Sequence, residues 1–287
     1  MAAIFRREIL SYFVTPSGYV FLGLFLLLSG ILFSFGTILS GNSSFSGFLE
    51  SIQFIFLFST PVLTMRLMSE ETRQKTDQLL FTSPIGFYEL VLGKYFAALA
   101  LFCLAFLAIL SYSVVVLLYG DFRILETLSA ALGFLLLGAS FIAIGTFISS
   151  TTENQATSAV ATFVVLLLFW IMEPLKSGLP QDVNAGIVFS ASLALLLCYA
   201  LFAATRSRIV TLLAVAVFAA AIALPAVLWP RIFSGLVASA FDWISLLKRQ
   251  ESFSGGLIRL DNIVYYLSFI FAFLFLSVRF VEKRRWS

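Results

Sequence analysis

Uncharged apolar runs of roughly twenty residues recur along the chain, separated by short polar breaks. A run of that length crosses a bilayer as a helix. The pattern predicts eight spans, at about 19–39, 50–66, 92–119, 127–149, 156–172, 185–204, 209–229 and 263–278. The runs are continuous, not alternating, which argues against a barrel. The fold class read from this is all-α and polytopic, a single transmembrane domain over 1–287.

The breaks are as informative as the runs. Residues 1–15 carry Arg6, Arg7 and Glu8, with Phe5, Ile9, Tyr12 and Phe13 on one helical face, which suits a helix lying in the interface. The run that follows is too long for a signal peptide and lacks an A-x-A site. Thr15-Pro16-Ser17-Gly18 breaks that helix before the first span. The second run is short and contains Pro61; it is expected to continue past Arg66, whose side chain can snorkel. Ala131, Gly138 and Gly145 recur every seven residues in the fourth run, a spacing that permits close helix approach. A neighbour in the same chain is favoured over a sister subunit. The fifth run is expected to end at Glu173-Pro174. Residues 185–229 form a hairpin of two further spans about Arg206 and Arg208. Residues 231–261, with Phe233, Val237, Phe241 and Ile244 at helical spacing, read as an outer amphipathic helix or a partly re-entrant one, broken at Ser254-Gly255-Gly256.

Composition agrees with a membrane protein: 61% hydrophobic, 11% charged, with a mean hydropathy of +1.04. The net charge of +3 comes from residues flanking the spans and does not suggest nucleic-acid binding. There is no histidine, which removes histidine triads, HExxH zinc sites and histidine proton relays. Cys103 and Cys198 sit in apolar runs and read as packing residues; two cysteines alone do not make a zinc site. No catalytic, cofactor or metal residue is assigned. The 33 phenylalanines read as lipid-facing and packing residues.

One stretch departs from this pattern. Residues 66–94 read RLMSEETRQKTDQLLFTSPIGFYELVLGK, with Glu70, Glu71, Arg73, Lys75 and Asp77 close together. Glu71 and Lys75 have the i,i+4 order that favours a helix. Leu79 and Leu80 give it an apolar end, and Ser83-Pro84 looks like a cap and a first-turn proline, so a new helix enters the membrane near Leu90. A short surface helix and an ordinary solvated loop both fit.

The run E-E-x4-T-D-Q-L-L-x-T-S-P with V-L-G-K beyond it resembles the first cytoplasmic loop of ABC transporter permeases of the type-2, exporter-like class. SSTTENQATSA at 149–159, the N-terminal FRREILSYFVTPSGYVF and the C-terminal LDNIVYYLSFIFAFLFLSVRFVEKRRW extend the resemblance. Within that class these segments look most like the permeases associated with gliding motility and copper-enzyme maturation. The resemblance covers the first 175 residues or so and the last 30; 183–230 fit it less well. Lys75 stands where the family commonly has Gly before Thr76. The resemblance implies that 66–90 form the coupling stretch seated on an ATPase subunit, through Glu70, Glu71, Arg73, Lys75, Thr76, Asp77, Leu79 and Leu80. It makes 1–15 a gate helix, with Phe5, Arg6, Arg7 and Ile9. It offers Glu153 and Asn154 as a lesser ATPase contact, although the same two residues could simply cap the fifth helix. It further implies a pair of permeases, identical or not, working with ATPase subunits that bind ATP and Mg.

Physical reasoning bears on the same question. With eight spans and an inner N-terminus, twelve of the 18 Lys and Arg fall on the inner side. That places the 66–90 stretch and both termini in the cytoplasm and the chain in the cell inner membrane. The chain carries no nucleotide motif: six residues, not four, separate Gly86 from Gly93, and Tyr95 stands where Ser or Thr should bind magnesium. Span centres hold essentially no ionisable residue, which disfavours a secondary carrier. A membrane enzyme lacks its polar cluster. A permease powered by a separate ATPase is the expected function, with export as the expected direction; an ATPase-independent channel, a secondary carrier or a membrane anchor is the alternative.

Overall fold

The computed structural model describes residues 1–40, 44–74, 86–119 and 123–284. They are predominantly helical, with no strand among them, and form eight helical segments long and apolar enough to cross a membrane, some of them built from more than one helix. The chain divides into two units. The first comprises Met1–Trp170 and Leu246–Ser287, the second Ile171–Ser245.

Unit 1 starts with α1, Ala2–Val14. Thr15 is extended because Pro16 forbids helix before it, and Pro16 opens α2, Pro16–Phe33. Gly18 makes the sharp corner possible, since a Cβ there would strike the carbonyl of Tyr12. The next span is built in pieces: α3, Phe45–Ser51, a 3-10 turn at Ile52–Ile55, and α4, Phe56–Thr64. The span runs on past Arg66, as expected, to Arg73, but its winding is interrupted: α4 ends at Thr64 and the helix restarts as α5, Ser69–Arg73. Then come α6, Phe87–Leu110, α7, Tyr112–Tyr119, and α8, Ile124–Thr151. The third apolar run is therefore two helices, parted at Ser111. Next is α9, Gln155–Ser177, whose residues from Ile171 on belong to unit 2. It passes through Pro174 instead of ending there, giving up the hydrogen bond of the missing N–H and crowding the carbonyl one turn back.

The core of unit 1 is aromatic. Phe25 of α2, Phe56 of α4, Phe102 and Phe106 of α6, and Phe134 and Phe141 of α8 are all buried. Phe56 meets Phe134 with ring centres 4.8 Å apart and Phe141 at 5.6 Å. Phe25 meets Phe102 edge-on at 6.0 Å. Gly138 lets Phe102 reach the α8 backbone, and Gly145 does the same for Thr64 of α4. The seven-residue glycine spacing thus serves neighbours in the same chain.

The amphipathic segment expected over 231–261 is two helices, not one. Leu236–Ile244, labelled α12 below, belongs to unit 2, whereas α13, Leu246–Ser254, belongs to unit 1. Ser245, extended, separates them. In unit 1, α13 lies against α8: Gly133 leaves room for Phe253, and the Gln250 amide donates to the Ala130 carbonyl at 3.3 Å. Gly256, at φ +80°, turns the chain into α14, Leu260–Arg284, which packs along α8. The Tyr266 hydroxyl donates to the Leu246 carbonyl at 2.6 Å, and Arg249 lies 3.6 Å over the Tyr265 ring.

Unit 2 holds two helices labelled α10, Val183–Thr205, and α11, Arg208–Leu228, joined through Arg206 in the left-handed region. They are antiparallel, with an open apolar cavity of ≈ 210 Å³ between them lined by Ala191, Cys198, Phe218 and Ile222 among others. A 3-10 turn at Pro230–Phe233 leads to α12, Leu236–Ile244. Lys176 pairs with Asp242 and with Glu173 at 3.4 Å, and the Ser245 hydroxyl donates to Glu173 at 3.1 Å. The two ends of the unit are thereby tied to each other.

Candidate functional site: the junction around Ser69–Arg73

Five residues are too few for a helix to be stable alone, so α5 depends on its surroundings. Its N-terminal N–H groups lack a side-chain cap of their own. Ser149 of α8 supplies one: its Oγ accepts from the N–H of Met68 at 3.0 Å and of Ser69 at 3.3 Å. Arg66 forks onto Glu70, Nε to Oε2 at 2.8 Å and Nη2 to Oε1 at 3.0 Å, and its Nη1 donates to Ser17 of α2 at 3.0 Å. From the far end of the sequence, Arg284 donates to the Thr72 hydroxyl at 2.9 Å. The C-terminal helix thus reaches α5 directly, and α2 reaches it through Arg66.

Glu71 carries the densest electrostatics. It pairs with Lys94 of α6 at 2.9 Å and with Arg7 of α1 at 2.6 Å. Lys94 also pairs with Glu8 at 3.3 Å and donates to the carbonyl of Leu67. Arg7 pairs with Glu8 at 2.9 Å. The Lys94 side chain is 2% exposed, Glu8 15% and Glu71 16%, but Arg7 51%. Removing one partner of a pair as buried as Lys94's costs on the order of 3–5 kcal/mol, while a half-exposed arginine contributes ~1 kcal/mol or less. Lys94 is therefore the dominant member. Burial lowers the Arg7 pKa, but its bonds to Glu8 and Glu71 outweigh this and raise it, so the guanidinium stays charged.

Helix α1 runs alongside α6 in the same direction. Ile4 fills the space above Gly93, with Cγ2 3.0 Å from where a Cβ would stand. Ile9, Tyr12 and Phe13 face Ala100, Leu101 and Leu104 across an apolar cavity of ≈ 120 Å³. Tyr12 is buried and donates to the Leu63 carbonyl at 2.9 Å. Burial, with the Glu8 charge adding, holds its phenol above the usual pKa. The expected face of Phe5, Ile9, Tyr12 and Phe13 is modified: Ile4 and Tyr12 are buried, Phe5 and Ile9 half-buried, and Phe13 exposed.

Of the residues singled out by sequence, Glu70, Glu71 and Arg7 enter this junction, while Arg6 and Arg73 are exposed. Lys75, Thr76, Asp77, Leu79 and Leu80 lie outside the described residues, as does Ser83-Pro84. Glu153 is exposed; Asn154 caps α9, its Oδ1 accepting from the Ala156 N–H at 2.9 Å. Glu8, Lys94 and Ser149 were not singled out. The available signals were an isolated lysine early in an apolar run and an acid beside Arg7. Among the described residues no group of three Cys, Asp or Glu is placed to hold a metal ion.

No curated protein matches the chain. Residues 40–177, just under half of it, match the family model of the ABC-2 family transporter protein. The match spans α3 to α9 and includes α5, Lys94 and Ser149, so over these residues the chain is similar to ABC-2 family transporter proteins, and its eight apolar helical segments are those of a multi-pass membrane protein.

Proposed function

We propose that this chain is the membrane-spanning subunit of an ATP-driven exporter, with α5 and the residues after it forming its contact with a separate ATPase subunit that binds ATP and Mg. The observation that carries the reading is the convergence of α1, α6, α8 and α14 on a five-residue helix at the start of the mixed-charge stretch, with α2 linked to it through Arg66. A displacement applied there reaches several helices at once. The basic bias supports placing this end in the cytoplasm, with both chain termini, in the cell inner membrane. The permease works as a pair, identical or not. The resemblance of the two termini, which lie outside the matched residues, relates it to the gliding-motility and copper-enzyme-maturation group.

The test is co-purification of the permease with the ATPase encoded beside it, and ATP hydrolysis by the complex. Binding energy concentrates in buried anchors, with rim charges contributing less. Leu79→Ala with Leu80→Ala is therefore expected to weaken association more than Glu70→Ala. Full association and unchanged hydrolysis without the leucine pair would remove this stretch as the coupling element.

A further inference from the structure

Lys94 occupies an unusual position for a lysine. It lies one turn or two into an apolar helix and is 1% exposed overall. Its single ammonium meets three groups from three places in the sequence: Glu8 of α1, Glu71 of α5, and the carbonyl of Leu67 in the turn between α4 and α5. Exposed ion pairs form loose links, because water replaces a partner that moves away. Here little water can reach the ammonium, so a carboxylate that moves away is not replaced by solvent and its share of the pairing is lost. Packing reinforces the link: the residue before Lys94 is Gly93, against which Ile4 is seated. By contrast, the other cation of the group, Arg7, is half exposed and peripheral.

We propose that Lys94 is the positioning residue that locks α1, α5 and α6 into one body, so that movement imposed on α5 is passed to α1 and α6 together. The claim of coupling rests on the ATPase-driven reading above; the lock itself does not. A purely structural lysine would support the fold without fixing the distance between α1 and α5 against load. A lock fixes that distance and fails selectively when one of its arms is cut. Glu8→Gln cuts the arm to α1 and leaves Lys94 with Glu71 and Leu67. Lys94→Met cuts both arms. Lys94→Arg keeps the charge and the reach.

The experiment uses the full-length chain with Cys103 and Cys198 replaced and spin labels at Ala3 and Gln74, both exposed and both outside the lock. Distance distributions are recorded for the permease alone in nanodiscs and for the ATPase complex with ATP and vanadate. The reference protein is expected to give one narrow distribution that ATP does not alter. Lys94→Met and Glu8→Gln are expected to broaden it, and Lys94→Arg to restore most of the narrowness. In the complex, Lys94→Met is expected to shrink the difference between permease-bound and free ATPase rates by about fivefold or more, the range of ordinary coupling between sites, with the KM for ATP unchanged. An unaltered distribution in Glu8→Gln, which retains the Lys94 fold, overturns the lock even if Lys94→Met does not fold. A broadened distribution with unaltered hydrolysis overturns its role in coupling. Failure of the reference permease to recruit the ATPase strikes the transporter reading and the coupling claim with it, while the distances in the permease alone still decide the lock.

Discussion

Gly145 offers a sharp test of how α4 is fixed to α8. Placing a methyl group there by Gly145→Ala sets a Cβ 2.8 Å from Thr64 Cβ and 2.9 Å from its Cγ2, with the hydroxyl closer still. Thr64 is fully buried, and its hydroxyl is engaged with the Thr60 carbonyl at 2.9 Å, so rotation does not relieve the clash. The helices must part by roughly half an ångström, and a gap of ~0.5–1 Å forfeits a quarter to a half of each contact's attraction. Overpacking of this kind costs about 1–3 kcal/mol. Alanine also gains about 1 kcal/mol over glycine in helix propensity, so the proper comparison is Gly23→Ala in α2, where nothing lies within 4 Å of the new Cβ. Gly23→Ala is expected to match or exceed the parent protein, and Gly145→Ala to fall below Gly23→Ala by about 1–3 kcal/mol. At about 2–4 °C per kcal/mol for chains somewhat shorter than this one, that is a separation of several degrees in thermal unfolding of the purified protein, read by tryptophan fluorescence. Adding Thr64→Ala removes two of the three close atoms and should restore part of the loss non-additively. Equal stability of the two alanine variants would refute the reasoning.

Three further outcomes are expected. Tyr12→Phe loses the buried hydroxyl bond to Leu63, at about 1 kcal/mol, and hydrogen exchange should rise in residues 2–14 more than in α8. Arg66→Lys keeps the charge but not the fork on Glu70 or the bond to Ser17, so residues 65–74 should become more susceptible to limited proteolysis; unchanged cleavage would count against the fork. In a background without Cys103 and Cys198, a cysteine at Ser43 should react with an impermeant reagent in intact cells and one at Ser287 should not; labelling at 287 overturns the orientation.

The helical architecture is legible in the sequence because its signal is local: a span needs only its own run of apolar residues. The role of Gly138 and Gly145 could be read for the same reason, since a seven-residue repeat lies within one helix. The fractured second span was harder to foresee. Pro61 marks this run as irregular, but nothing in Ile52–Ile55 or Phe56–Thr64 marks where the winding changes or that the helix stops at Thr64. The split of the 231–261 segment was hidden too, because Ser245 is an unremarkable residue whose extended backbone is set by what surrounds it. Glu71 was singled out for its charge and Arg7 as part of the N-terminal helix, but neither their pairing nor the roles of Glu8 and Lys94 could be read, because these residues are distant from Glu71 in sequence and only the fold brings them together. Ser149 looks like one more small hydroxyl in a Ser/Thr-rich turn until α5 is seen to lack a cap of its own.

The packing of α14 along α8 bears on how the molecule is made. Phe147 of α8 rests edge-on against Phe273 of α14 at 5.8 Å. These partners are separated by more than a hundred residues, among them the whole of unit 2. At the usual pace of synthesis the delay between them is on the order of ten seconds. For that interval the α8 surface destined for α14 must be shielded by lipid or by the insertion machinery, while the two helices of 183–228 enter the membrane first. Biogenesis of this protein therefore includes a waiting step, and slowing translation through 171–245 should lengthen the life of a half-assembled, protease-sensitive species without altering the finished fold.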